Sequence, residues 1–193
     1  MTFAMEPAAI KTECSEAERA LAAQCVERIE GDLRKALGCE LELAGAEFSV
    51  VRRRPVIQSD THLSFRFGVQ IGAELRHGAL LVPLEPAIVC ACRLLMMTDE
   101  HVEECRSQRA VDGPIKDSML EVAHFVASAI EQGLTAGREE PVRARTEGCQ
   151  GIAAGKRVPL ELPEGDGLIA FRARASLQGL EEFDVVCVLP KFD

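Results

Sequence analysis

The chain has 193 residues, 47% hydrophobic and 27% charged, which is enough apolar material for one domain with a sizeable core. Its formal charge of −9 disfavours nucleic acid or an anionic membrane as a general partner, because phosphate binding needs clustered Lys and Arg. The absence of Trp and Tyr, with only eight Phe, argues against an aromatic platform for stacking bases.

The first residues, about 1–12, carry no periodicity and read as a loose tail before a single domain over 13–193. They also lack a basic stretch followed by a long apolar run, so no leader is expected and a cytoplasmic protein is. From Ser15 to Leu37 the pattern is helical: Leu21, Cys25, Ile29, Leu33 and Leu37 recur every four residues, and Gly38 supplies the stop. Glu40 to Arg54 reads as one or two strands, ending in the basic run Arg52-Arg53-Arg54, which is most simply a solvated strand end.

Leu63, Phe65, Phe67, Val69 and Ile71 alternate with His62, Ser64, Arg66, Gly68 and Gln70, the clearest strand signal in the chain. A turn near Gly72–Gly78 leads to a second strand, Ala79–Leu84, and Glu85-Pro86 opens a helix to about Met97. An acidic segment, Asp99 to Glu104, and a loop follow. Asp112-Gly113-Pro114 starts a helix that runs to about Gly133. Beyond a Gly/Glu-rich connection come strand candidates near Arg157–Leu162, Leu168–Leu177 and Phe183–Leu189. This order predicts an α/β sandwich, with long helices on one face of a mainly antiparallel sheet.

The eight cysteines sit partly inside apolar runs such as Val185-Val186-Cys187-Val188, which suits reduced thiols used as small apolar residues. No Cys-x-x-Cys occurs, so zinc is not expected. His62, His77 and His101 fall in strand or loop contexts where surface histidines are the default.

The helix after Pro114 carries the chemistry. At about 100° per residue, Ile115, Met119, Val122, Val126 and Ile130 form the core stripe, while Asp117, Glu121, His124 and Ser128 share the opposite arc. A solvated face is the plain reading of such an arc. A di-iron centre would need a second Glu-x-x-His on a facing helix, and no other predicted helix carries one, so no metal is expected. The third reading is a docking and catalytic ridge for a partner protein.

Asp117-x-x-x-Glu121-x-x-His124 resembles the signature of the CheC/CheX/FliY phosphatases: Asp or Ser, three residues, Glu, two residues, Asn. The order of elements, Ser15–Leu37, Thr61–Leu84, Pro86–Met97, Pro114–Gly133, Gly148–Gly155 and Leu168–Leu189, is similar to that family's over about residues 13–190. The resemblance implies a CheC/CheX-like sandwich. It also implies binding of a phosphorylated response-regulator receiver domain and hydrolysis of its aspartyl phosphate. In those terms Glu121 contacts the receiver's lysine, His124 positions the attacking water, and Asp117 and Ser128 complete the docking ridge. No cofactor of the chain's own is implied, since magnesium would belong to the receiver.

His124 stands where the family has Asn, and the family's later Pro falls on Thr146, with Pro141 nearby. The chain has no Asn, so the signature is not repeated in the first helix, as in the single-motif CheX-like branch. That branch is known for homodimers, which the resemblance carries over as an expectation. The alternative is a CheX-like interaction module that has lost catalysis with its Asn. A small-molecule binder built on Arg52–Arg54 is a third reading, but no Gly-rich phosphate loop accompanies the run.

Overall fold

The computed structural model describes residues 13–57, 59–136, 138–161 and 167–191, so the expected tail at 1–12 lies outside the described residues. Helix α1 (Glu16–Leu37) begins with a reciprocal cap: the Glu18 amide donates to Ser15 Oγ at 3.2 Å, and the Ser15 amide donates to Glu18 Oε2 at 2.8 Å. It ends at Gly38, whose φ of 61° is a left-handed conformation that glycine enters without strain. Ala22, Cys25, Val26, Ile29, Leu33 and Leu37 are its buried side chains, close to the expected stripe.

Strand β1 (Leu41–Val51) is a single strand with a register break between Ala44 and Glu47, at Gly45. Strands β2 (His62–Ile71) and β3 (Glu74–Pro83) form a tight hairpin, Ile71 facing Glu74 and His62 facing Pro83. Then come α2 (Leu84–Leu94), α3 (Asp99–Gln108) and α4 (Gly113–Thr135). Strands β4 (Val142–Ile152), β5 (Leu168–Leu177) and β6 (Phe183–Pro190) complete the chain. All six strands join one antiparallel sheet in the order β1-β5-β6-β3-β2-β4. The second outer strand, β4, also breaks register against β2, between Phe65 and Phe67.

The expected α/β class and antiparallel sheet are therefore found, with three corrections. The acidic segment at Asp99–Glu104 belongs to a helix, α3, which buries only Val102 and so has no apolar stripe to announce it. The Gly/Glu-rich connection holds β4, whose side chains are mostly exposed or half-buried because it is an outer strand, so alternation is weak. The candidate strand at Arg157–Leu162 has one isolated bridge, Val56 to Arg157, and Leu162 lies outside the described residues.

The main core lies between the sheet and the helices, around Phe65, Phe67, Phe171, Ile29, Met119 and Ile130. On the opposite face a second cluster sets Ile57, Val158 and Leu160 over Val51, Ala79, Leu81, Ala170 and Val188. Val158 and Leu160 alternate inward there, which is why the stretch looks like a strand in sequence. At the joint between α1 and α4 the backbones nearly touch. A Cβ on Gly133 would lie 2.9 Å from Cys25 Cα, so no larger residue fits without the helices parting.

Candidate functional site

Helix α4 starts after Asp112, with Pro114 in its first turn, where a missing N–H leaves no bond unmade. Ile115, Met119, Val122, Val126, Ile130 and Leu134 are buried beneath it, each large side chain contributing about 1.5–3 kcal/mol of burial. The flanks are pinned as well. Ser118 Oγ donates to the Ala91 carbonyl of α2 at 2.9 Å, and the Ala144 amide of β4 donates to Glu131 Oε2 at 2.7 Å. A helix fixed on three sides holds its fourth side in one orientation.

That fourth side carries Asp117, Glu121, His124 and Ser128, all exposed. The expected site residues therefore share one outward ridge, which spans roughly 16 Å at 1.5 Å per residue. Among the described residues, no hydrogen bond or ion pair engages Asp117, Glu121 or His124. Two carboxylates and an imidazole thus point to solvent with their bonding capacity unspent. Ser128 is different. Gln132 Nε2 donates to Ser128 Oγ at 3.3 Å and to Asp32 Oδ2 of α1 at 3.4 Å, which extends the polar surface onto the neighbouring helix. Gln132 lies one turn beyond Ser128, and that spacing was available in the sequence; Asp32 was not readable, because only the α1–α4 packing brings it there.

Cavities among the described residues lie elsewhere. One of 310 Å³ is bounded by Glu18, Leu21, Gln24, Arg138 and Lys191, and one of 280 Å³ by Glu47, Arg172, Arg174 and Asp184. The ridge itself is a convex helix surface, a shape suited to a protein partner and not to an enclosed small molecule. No grouping of three or more His, Cys, Asp or Glu suited to a metal ion occurs among the described residues. No helix of the structure is long and apolar enough to cross a membrane.

The other sequence candidates have structural employment. Arg54 Nη1 donates to the Leu160 carbonyl at 3.3 Å and so helps tie down the cover over the second core, while Arg52 and Arg53 are exposed. His77 Nδ1 pairs with Glu147 Oε1 at 2.9 Å, and His101 Nδ1 meets Thr98 Oγ1 at 2.8 Å. The expectation of a surface histidine fails at His62, which is 3% exposed; burial holds its imidazole below the ordinary range.

No protein-family model matches the chain, and no curated protein matches it. Solved structures do. FliY of Thermotoga maritima superposes with a TM-score of 0.66 at 9% identity, over 93% of this chain and 92% of that one. The middle domain of FliM from H. pylori superposes with a TM-score of 0.59 at 9% identity, over 92% and 94%. CheX of Desulfovibrio desulfuricans does so with a TM-score of 0.53 at 14% identity, over 87% and 98%. At these identities the likeness is one of fold: the chain has the CheC/CheX/FliY architecture along nearly its whole length.

Proposed function

We propose that the chain docks a phosphorylated response-regulator receiver domain along α4 and hydrolyses its aspartyl phosphate. The observation that carries this reading is the ridge. Asp117, Glu121 and His124 stand exposed and unengaged on a rigid helix of a CheC/CheX/FliY fold, at the spacing of that family's signature.

An aspartyl phosphate is an acyl phosphate and already activated, so the helper protein has only to place water in line and rearrange charge. Glu121 attracts a cation of the receiver's active site, and Asp117 and Ser128 add contacts along the same ridge. The neutral imidazole of His124 accepts a hydrogen bond from water and takes its proton as the oxygen–phosphorus bond forms. The phosphorus–carboxylate bond breaks, which releases the receiver's aspartate and inorganic phosphate. An imidazolium can only donate, so this step needs the neutral ring.

A second reading keeps the docking and drops the chemistry, and His124 is what favours it. An amide donates and accepts without changing charge, whereas imidazole has a different reach and direction. One experiment separates the two: phosphate loss from a phosphorylated receiver domain, with wild type, Glu121→Ala, His124→Ala and His124→Asn. In the catalytic reading wild type accelerates the loss, and each alanine variant is slower by on the order of 10²-fold. Inert wild type with an active His124→Asn variant supports the interaction module. Absence of both binding and turnover in every variant sinks the receiver reading for that partner.

A further inference from the structure

Among the described residues the sheet ends in two strands, β1 and β4, each 11 residues long and each paired on one side only. An outer strand turns alternate amides and carbonyls outward, a ready template for a further strand. Each of these strands follows a long helix, β1 after α1 and β4 after α4, and each helix sends a glutamate back to its own strand. The Leu43 amide donates to Glu30 Oε2 at 2.9 Å, and the Ala144 amide donates to Glu131 Oε2 at 2.7 Å. In both cases the glutamate precedes its donor by 13 residues.

The neighbouring groups are held too. Arg34 donates to the Leu41 carbonyl from Nε at 2.9 Å and from Nη2 at 2.7 Å, and Nη2 also binds Glu30 Oε1. Arg143 Nη1 lies 3.6 Å from Glu131 Oε1. A carboxylate on an outward amide occupies the place where the carbonyl of an incoming strand would sit. Displacing it breaks a charge-assisted hydrogen bond and leaves a half-buried carboxylate short of a donor. Just beyond the capped residue each edge also bends. Strand β1 loses register between Ala44 and Glu47, with Gly45 at φ 62°, and β4 between Thr146 and Cys149, with Gly148 at φ 89°. A bulge turns the rest of the strand away from the line that a straight partner would follow.

We propose that Glu30 and Glu131 are edge locks, which with the bulges beside them stop either end of the sheet from accepting a strand of a second copy of this chain. The two locks use the same residue type, the same spacing and the same outward amide on two separate helices. A second copy can then meet this one only through helix faces, and a sheet continued from chain to chain is closed as a route to a homodimer.

The locks are independent of the receiver reading, and their test needs no partner. Full-length protein is followed by sedimentation velocity and by amide exchange from micromolar to millimolar concentration. The forms compared are wild type, Glu30→Ala/Glu131→Ala and Glu30→Gln/Glu131→Gln. The glutamine pair keeps an acceptor oxygen for each amide and discards the charge. In wild type and the glutamine pair, exchange over 41–51 and 142–152 is expected to stay the same at every concentration. In the alanine pair the Leu43 and Ala144 amides exchange roughly tenfold faster when dilute. On concentration the alanine pair associates, and exchange along one of the two outer strands slows. The proposal is overturned if wild-type exchange along either outer strand slows on concentration, a result that does not depend on the variants folding. It is also overturned if the alanine pair associates no more than wild type. Association of the glutamine pair as readily as the alanine pair overturns it too, since charge and not the cap would then be the barrier.

Discussion

Helices α3 and α4 follow one another in the chain, yet they are held by opposite means. Helix α4 buries eleven residues over Gly113–Thr135 and is locked to α1 by a glycine contact too close for any side chain. Helix α3 buries one residue, Val102, packs half-buried Cys105 beside it, and has surface ion pairs at its ends. Exposed pairs of that kind contribute about 0–1 kcal/mol each, so α3 belongs to the easily opened part of the molecule and α4 to the last part to open. On the proposed reading, a ridge that presents Asp117, Glu121 and His124 in fixed register suits the rigid helix, while nothing proposed for α4 asks the same of the loose one.

The comparison breaks most completely at Gly133. Gly133→Val drives Cβ and its methyls into Cys25, so a loss of several kcal/mol is expected, enough to abolish a cooperative melt followed by circular dichroism. On α3, Val102→Ala truncates its one fully buried side chain, with an expected loss of about 2 kcal/mol. Amide exchange should rise over 99–108 and stay unchanged in α4; equal acceleration in both would show that the helices open together.

Acid sharpens the contrast beside Asp60, which the Arg109 guanidinium holds below the usual carboxylate range. Burial depresses His62 in the folded state, so above its unfolded value, 6.5, the chain gains stability that is lost as pH falls towards the folded one. Urea midpoints should therefore drop between about pH 7.5 and 5.5, and a His62→Gln variant should flatten that slope. Met96, at φ 53°, occupies the left-handed region just after α2. Met96→Gly should raise stability by about 1 kcal/mol in a thermal melt, without altering α4. The smallest effect on stability belongs to the ridge: Glu121→Ala should leave the unfolding free energy within about 0.5 kcal/mol of wild type while, on the proposed reading, slowing receiver turnover by on the order of 10²-fold.

The same contrast explains what could be read from sequence. Elements that bury a face declare it: α1 by its four-residue spacing, β2 by alternation from Leu63 to Ile71, α4 by its stripe beneath Asp117, Glu121 and His124. Helix α3 and the outer strand β4 bury little and left no periodic trace. Val158 and Leu160 misled in the other direction, since alternating burial without a ladder imitates a strand. Gln132 could have been found by its spacing from Ser128. The place of Asp32 beside Gln132 and of Cys25 against Gly133 depends on which helices meet, and neither composition nor periodicity encodes that.

The order of strands in the sheet also governs how the chain can fold as it emerges. The hairpin β2–β3 closes locally, across a turn between Ile71 and Glu74, and can form early. Strand β1 cannot: its partner is β5, with Leu41 waiting for Leu177. Loop closure over that separation is slow. Until it happens, one whole edge of β1 has no partner, while α1 can already rest on β1 and, once it is made, on α4. A growing chain therefore carries an unpaired first strand through most of its own synthesis, and the stage most exposed to misassociation comes before β5 arrives.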